Sequence, residues 1–179
     1  SSDLYTDKDM SMMYNLGAGG GAIILKKNYG KNLLLGSHII ADGSLSRTAG
    51  IEIGGLVNPI TIQNIDIAGK SLRLMEAKKM KDRLNEVSIP NWYKCIDEAL
   101  RKSDLSREDL DYLAILHLKR SGHNAILNDF GLNEDQTIYL EDYGHIGQID
   151  QILSLHLGLQ DGKIKDKSVV CMLAAGIGY

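Results

Sequence analysis

The feature that most constrains this chain is the alternation of helix and strand patterns along its second half. Helix-forming segments at 91–102, 123–130 and 147–160 alternate with apolar strand patterns at 112–118, 136–141 and 168–175. Alternation of this kind predicts a mainly parallel sheet covered by helices. The last helix has apolar residues on more than one side, which predicts burial on more than one face; they are Ile149, Ile152, Leu153, Leu155 and Leu159. The pattern therefore predicts an α/β fold.

The first half has a looser organisation. Strand patterns at 12–25 and 33–43 flank a turn rich in Lys, Asn and Gly, and residues 43–70 are typical of a loop. Helix formers begin near Leu72, and Pro90 is expected to interrupt that helix.

Short sequence patterns predict the faces and ends of individual elements. Residues Trp92, Ile96 and Leu100 recur every four positions and predict the apolar face of the helix at 91–102. Ser106 and Asp109 form a helix-start pattern for one short turn. Glycines predict the ends of two later helices; they are Gly131 and Gly162.

The composition is that of an ordinary globular protein with one domain or two small ones. The chain has 179 residues, 44% hydrophobic and 24% charged, with a formal net charge of −3. This charge gives no reason to expect a nucleic acid or an anionic membrane as partner. Cys95 and Cys171 lie in apolar stretches without C-x-x-C spacing, which argues against disulfides or a thiolate metal site and fits a reducing cytoplasm.

Both ends suggest a piece of a longer protein. The opening, SSDLYTDKDMSMM, has no initiator methionine and resembles neither a usual start nor a tag. At the other end, the apolar strand pattern at 168–175 almost reaches the last residue. We therefore expect a fragment or a processed piece.

The glycine run from Gly17 to Ala22 matches the dinucleotide pattern G-x-G-x-x-G/A. That pattern binds a pyrophosphate only where a strand turns into a helix. Here a short apolar stretch and a turn follow, with no room for a helix. We favour a strand whose glycines allow close backbone approach; a nucleotide-dependent oxidoreductase would depend on this run alone.

Two histidines stand at the ends of successive predicted strands. His117 ends the pattern at 112–118, and His145 follows the pattern at 136–141. Either alone would be assigned a structural role, but parallel strands place both at one edge of the sheet, where α/β proteins bind ligands. Together they predict a paired-imidazole site. We assign no role to the others, His38, His123 and His156, and metal binding lacks a third ligand at a convincing spacing.

In their order and separations, four segments resemble the C-terminal half of the ketoacyl-ACP synthase III family, in the thiolase superfamily. NLGAGGGAIILKK resembles its glycine-rich strand, with a G-D-G-A-G-A core, and LDYLAILHLKRSG resembles the strand that carries the family histidine. YLEDYGHIGQID is similar to the segment H-G-N-T-S-A-A-S, and DGKIKDKSVVCMLAAGIGY to the closing segment.

This resemblance covers nearly the whole chain and implies a thiolase-like fold, with a mixed, mostly parallel sheet flanked by helices. Residues 1–43 would end the N-terminal half, and residues 44–179 would form the C-terminal half-domain.

The resemblance also implies roles for individual residues. The family's general-base histidine falls on His117, and its asparagine partner falls on His145, which is a departure from the pattern. Elsewhere in the superfamily a Cys-His-His set occurs, so His145 is expected to share the work. The oxyanion-hole amide falls on Ile177. Glycines expected to border the substrate are Gly144, Gly147, Gly176 and Gly178.

The implied reaction is condensation of an acyl thioester with a malonyl thioester. Both imidazoles would donate N–H groups to a thioester oxygen and assist loss of CO₂. Neither Cys95 nor Cys171 lies in the family's cysteine context, so the nucleophile is expected upstream and this chain alone is expected to be inactive. No cofactor is implied beyond CoA or acyl-carrier-protein thioesters.

Partners follow from the same resemblance. We expect the N-terminal half of the same enzyme, a carrier protein or CoA, and a cytoplasmic homodimer. The basic residues Lys78, Lys79, Lys81 and Arg83 either dock the acidic carrier protein or form a solvated helix face. The alternative function is a non-catalytic thiolase-fold protein that binds acyl chains or serves as a partner subunit. The acyl chain length stays open.

Overall fold

The computed structural model describes residues 16–68 and 72–176. Its helices are α1 Ile65–Ala68, α2 Ala77–Arg101, α3 Arg120–Asp129 and α4 Ile149–Gln160. Its strands are β1 Ala49–Ile51, β2 Leu72–Leu74, β3 Tyr112–Ile115 and β4 Val170–Leu173. Short 3₁₀ turns lie at Gly43–Leu45, Arg107–Asp109 and Glu134–Gln136. Within the described ranges, no helix is long and apolar enough to cross a membrane.

A parallel pair of strands forms the centre of the molecule. β3 and β4 are in register from Tyr112 opposite Val170 to Ile115 opposite Leu173. All four residues of β3 are buried, as expected for a strand that is covered on both faces. The α/β prediction is confirmed, and both strands lie within the predicted patterns. β1 and β2 form a separate antiparallel pair.

The two faces of β3 belong to different cores because its side chains alternate in direction. Leu113 and Ile115 pack with Ile96 and Leu100 of α2 and Ile126 of α3. On the opposite face, a smaller cluster joins strand residues to α4 and the loop after it; its members are Tyr112, Ala114, Ile138, Leu155, Ile164 and Val170. The result is a sheet with helices on both sides.

Several local signals correspond to the structure. The 3₁₀ turn Arg107–Asp109 has a reciprocal capping box between Ser106 and Asp109. Gly131 and Gly162 adopt φ +67° and +69°, the left-handed conformation that ends helices.

The predicted break at Pro90 is wrong. Helix α2 continues through it, and the predicted helical start at Leu72 belongs instead to β2. Pro90 removes one backbone N–H, which leaves the carbonyl of Glu86 without its helical donor. Both residues are exposed, so water can hydrogen-bond that carbonyl. Burial of Ile96 and Leu100 holds the following part of the helix against the core.

The strand predictions at 12–25 and 33–43 are also wrong for the residues that the structure describes. Residues 12–15 lie outside the described ranges. Leu16 makes one isolated bridge to His145, and residues 17–42 form no strand. Apolar side chains here are largely exposed, such as Leu34 at 79% and Ile39 at 85%. A strand needs a neighbour for its backbone groups, and the pattern in the sequence cannot supply one.

The predicted strand at 136–141 is replaced by the turn Glu134–Gln136 and an irregular stretch. Side chains of this segment hydrogen-bond the backbone of β3 and of the residue before it. Thr137 Oγ1 donates to the carbonyl of Leu113 at 2.8 Å, and Gln136 Nε2 donates to that of Asp111 at 3.2 Å. The segment therefore lies beside the sheet without joining it.

Helix α4 packs against Tyr112 of β3 at Gly158. Tyr112 is fully buried, and its hydroxyl lies 2.9 Å from both the carbonyl and the Oγ of Ser154. Burial raises the pKa of Tyr112 to about 12. A Cβ on Gly158 would lie 2.7 Å from the Tyr112 hydroxyl oxygen, so this contact requires glycine.

We predict that Gly158→Ala destabilises the protein, although alanine normally stabilises a helix interior. The expected loss in the free energy of unfolding is about 1–2 kcal/mol, because overpacking outweighs the gain in helix propensity. Chemical denaturation of the full-length protein measures this. Gln160→Ala, at an exposed position of the same helix, is the control and should have little effect. A neutral or stabilising Gly158→Ala would contradict the packing described here.

Candidate active site

Asp150 is the centre of the candidate site. It lies in the first turn of α4 and is fully buried. Between residues 144 and 160 it is the only Asp, Glu, Lys or Arg. Its Oδ2 accepts hydrogen bonds from the backbone N–H of His117 at 2.7 Å and from Nδ1 of His145 at 2.6 Å. Its Oδ1 accepts from the backbone N–H of Ile146 at 2.7 Å.

These donors keep the carboxylate ionised. Burial alone would raise the pKa of Asp150, but the hydrogen bonds from His145, His117 and Ile146 outweigh it and leave the pKa below its ordinary value. A buried anion is stable only when such donors replace water. The carboxylate therefore fixes two predicted site residues, His117 and His145, around one point.

The hydrogen bond to Asp150 defines the tautomer of His145. Nδ1 must carry a proton to donate to an ionised carboxylate, so the neutral ring has a lone pair on Nε2. Nε2 can donate only when the ring is protonated. The side chain of His145 is 21% exposed, whereas that of Asp150 is fully enclosed. The imidazole thus connects a buried anion to the open side of the site.

His117 lies just beyond β3, where the backbone turns from the sheet toward α3. Its ring packs against Tyr139, with centroids 5.2 Å apart and planes tilted by 41°. Its Nδ1 is buried and has no hydrogen-bond partner among the described residues. Desolvation lowers the pKa of His117, and it outweighs the opposing attraction of Asp150. His117 is therefore held in its neutral form.

Tyr139 packs against the ring of His117 and is itself held by contacts with neighbouring residues. Its hydroxyl donates to the carbonyl of Leu118 at 3.2 Å, and the guanidinium of Arg120 lies 3.9 Å from its ring centroid. His123 packs on the same ring at 5.1 Å and is only 2% exposed. Burial, helped by the charge of Arg120, lowers the pKa of His123 to about 4. His123 is thus a neutral core residue.

The loop that carries His145 needs its glycines. Gly144 and Gly147 have φ of +70° and +67°, which few other residues adopt. The carbonyl of His145 accepts a hydrogen bond from the backbone N–H of Gly17 at 2.9 Å. A Cβ on Gly17 would lie 2.0 Å from the carbonyl oxygen of Tyr143, so the expected close backbone approach at the glycine run is confirmed there.

The segment after β4 approaches the same end of α4. Gln151 Nε2 donates to the carbonyl of Leu173 at 2.7 Å, and Gln148 Nε2 donates to that of Ala175 at 2.9 Å. Gly176 follows directly and is exposed. The predicted oxyanion residue Ile177 and its neighbour Gly178 lie outside the described residues.

Neither cysteine takes part in the hydrogen bonds around Asp150. Burial raises the pKa of both cysteine thiols, that of Cys171 to about 12, which makes them poor nucleophiles. Across the part of the chain that the structure describes, no cluster of three His, Cys, Asp or Glu residues is placed to hold a metal.

Most of the predicted docking residues are engaged in ion pairs. The pairs are Lys78 with Asp82 at 2.5 Å, Lys79 with Glu76 at 3.3 Å, and Arg83 with Asp42 at 2.7 Å and Glu86 at 2.8 Å. Lys81 is exposed. This part of α2 therefore presents charges of both signs.

Sequence reasoning missed Asp150 and Tyr139. A signal for Asp150 was present, since a lone carboxylate in an otherwise apolar helix requires a specific partner. For Tyr139 no comparable signal exists, because aromatic residues are common in apolar segments.

Part of the chain is similar to a known protein family. The C-terminal family of 3-oxoacyl-[acyl-carrier-protein] synthase III matches residues 100–179. Over 175 residues the chain is 22% identical to the beta-ketoacyl-[acyl-carrier-protein] synthase III of Escherichia coli strain K12, covering 97% of this chain and 50% of that protein. The chain thus spans about half the length of the curated relatives it matches.

Solved structures of two such synthases have a similar fold. The 3-oxoacyl-(acyl carrier protein) synthase III of Pseudomonas aeruginosa PAO1 superposes with a TM-score of 0.68 at 15% identity, covering 99% of this chain and 51% of that one. The corresponding synthase of Aquifex aeolicus VF5 gives a TM-score of 0.61 at 18% identity, covering 81% and 41%. The chain has their thiolase-like α/β fold, and its residues 100–179 match the C-terminal family of 3-oxoacyl-[acyl-carrier-protein] synthase III.

Proposed function

We propose that this chain is the C-terminal part of a 3-oxoacyl-ACP synthase III-like acyltransferase, which condenses an acyl thioester with a malonyl thioester. The observation that carries this proposal is the convergence of His117 and His145 on Asp150. These histidines come from the two segments that resemble the family's histidine and asparagine segments. Together with the fold, this geometry supports acyl-transfer chemistry better than nucleotide binding.

The two histidines have different roles in this proposal. Decarboxylation of the malonyl partner places negative charge on its thioester oxygen, and N–H donors aimed at that oxygen lower the barrier. Neutral His117 donates through one nitrogen. His145 donates through Nε2 only when protonated, because its Nδ1 proton is committed to Asp150. A charged donor makes a stronger hydrogen bond than the amide it replaces.

The rest of the active site belongs to other parts of the proposed enzyme. A cysteine in the N-terminal half takes the acyl group as a thioester. The backbone N–H of Ile177 supplies the oxyanion hole, and the glycines near His145 and at the end of β4 border the substrate. Residues 1–43 complete the N-terminal half, and the active species is a homodimer that receives its substrates on CoA or a carrier protein.

We predict that acyl transfer and condensation separate in the full-length protein. Incubation with acetyl-CoA should give an acetyl adduct, detected by intact mass and mapped to an upstream cysteine. His117→Ala should keep the adduct but lower malonyl-dependent CO₂ release by about 10²-fold or more, because a transition-state donor is lost. His156→Ala, an exposed histidine on α4, is the control and should leave both steps unchanged.

Absence of an adduct with acetyl-CoA and with longer acyl-CoAs would contradict the proposal. It would favour the non-catalytic acyl-binding or partner-subunit alternative, in which His117 and His145 are structural.

A second prediction concerns the donor at position 145. His145→Asn restores the family amide, whose nitrogen donates without taking up a proton, so this variant should keep malonyl-dependent CO₂ release. His145→Ala removes the donor and should lower that release by about 10²-fold or more, while the acetyl adduct still forms. Equal CO₂ release in His145→Ala and His145→Asn would contradict the assigned role.

A third prediction tests the docking face. If Lys78 and Lys79 meet an acidic carrier protein, reversing both to Glu should weaken carrier binding at least tenfold, and the difference should shrink at high salt. The matched control reverses two other exposed lysines, Lys165 and Lys167. Unchanged affinity on calorimetric titration would show that the ion pairs with Asp82 and Glu76 simply form a solvated face.

A further inference from the structure

The His145–Asp150 pair has the arrangement that turns an imidazole into a base. A buried, ionised carboxylate accepts the Nδ1 proton at 2.6 Å, which leaves the lone pair of the neutral ring on Nε2. Asp150 cannot turn away, since backbone N–H groups of His117 and Ile146 hold both of its oxygens at 2.7 Å. The orientation of the ring is therefore fixed by three hydrogen bonds to one carboxylate.

An amide at position 145 could not act in this way. Asparagine offers a donor, but its nitrogen does not accept a proton near neutral pH. In the family segment H-G-N-T-S-A-A-S, aligned at Gly144, asparagine falls on His145 and the final serine falls on Asp150. Both partners of the hydrogen bond are thus departures from that pattern. Together the two residues form a carboxylate–imidazole pair that can act as a base, which neither departure could provide alone.

We propose that this site has a second activity, in which His145, oriented by Asp150, acts as the general base that transfers the acyl group to a protic acceptor. The acceptor is an alcohol, an amine or water, whose attacking oxygen or nitrogen carries a proton. This activity rests on the proposed function, because the acyl group reaches the site as a thioester on the upstream cysteine. Asp150 is a positioning residue, and His145 is the catalytic one.

The step balances without any oxidant or reductant. Oxygen or nitrogen of the acceptor forms a bond to the acyl carbon while its proton moves to Nε2 of His145. Collapse of the tetrahedral intermediate breaks the C–S bond, and the proton then passes from Nε2 to the departing cysteine sulfur. The products are an ester, amide or acid and a free cysteine thiol, and the His145–Asp150 pair returns to its starting state.

The solvent exposure of the two side chains fits a catalytic role for His145 and a positioning role for Asp150. The carboxylate of Asp150 is sealed from solvent, which keeps water from competing for its hydrogen bonds, whereas the side chain of His145 is 21% exposed. A small acceptor can therefore reach the ring without disturbing the carboxylate.

The test follows the fate of the acyl-enzyme in the full-length protein when no malonyl thioester is present. The protein is loaded with acetyl-CoA and freed of excess donor, and loss of the adduct is followed by intact mass in buffer and with added ethanolamine. Wild type should discharge the acetyl group at least tenfold faster than Asp150→Asn and His145→Asn, and acetylated ethanolamine should accumulate. All three proteins are loaded to the same adduct occupancy before the discharge is timed, so that the rates compare discharge alone, and unchanged circular dichroism spectra separate slower discharge from a structural defect.

Asp166→Asn, an exposed carboxylate on the loop after α4, is the matched control and should discharge at the wild-type rate. If Asp150→Asn does not fold, as judged by circular dichroism, His145→Asn decides alone. An adduct that forms but is lost at the same rate in wild type and variants would overturn this inference and leave the proposed condensation intact. Absence of any adduct would refute both.

Discussion

The buried carboxylate of Asp150 holds together three segments that are distant in the sequence. Removing an ionised carboxylate from water costs several kcal/mol unless donors replace the lost hydration. Here the donors come from the backbone beyond β3, from the imidazole of His145 and from the backbone at Ile146. Each segment must be in place for Asp150 to be buried, so folding of this end of the sheet and assembly of the site are one event.

The same hydrogen bonds give the two histidines different chemistry. His145 has its Nδ1 bound to an anion, so Nε2 is the nitrogen that donates when the ring is protonated and accepts when the ring is neutral. His117 contacts Asp150 only through its backbone, and its ring lies against Tyr139, where desolvation keeps it neutral. Two residues of one type thus differ in their hydrogen bonding because their environments differ.

The elements that could be predicted from the sequence are those whose formation depends on nearby residues. β3, β4, α3 and α4 were recognisable because burial gives apolar patterns, and Gly131 and Gly162 because left-handed turns need glycine. The strands expected at 12–25, 33–43 and 136–141 did not form in the residues that the structure describes, because a strand also needs a neighbouring backbone. The helix through Pro90 depends on solvation of one carbonyl and on core contacts several turns later. The histidines were paired on the expectation that each follows a strand, and they meet at Asp150 although residues 136–141 lie beside the sheet without joining it. A lone carboxylate in α4 indicated that Asp150 needs a partner, but no pattern in the sequence indicated His117, 33 residues earlier.

Asp150 binds the Nδ1 proton of His145, and the chemistry of the site depends on this contact. Nitrogen NMR of the full-length protein labelled with ¹⁵N-histidine tests it most directly. With the ring neutral, we expect a protonated Nδ1 whose ¹H resonance is strongly downfield, an unprotonated Nε2, and loss of that ¹H resonance in Asp150→Asn. A neutral His145 protonated on Nε2, or a Nδ1 signal that Asp150→Asn leaves unchanged, would contradict it.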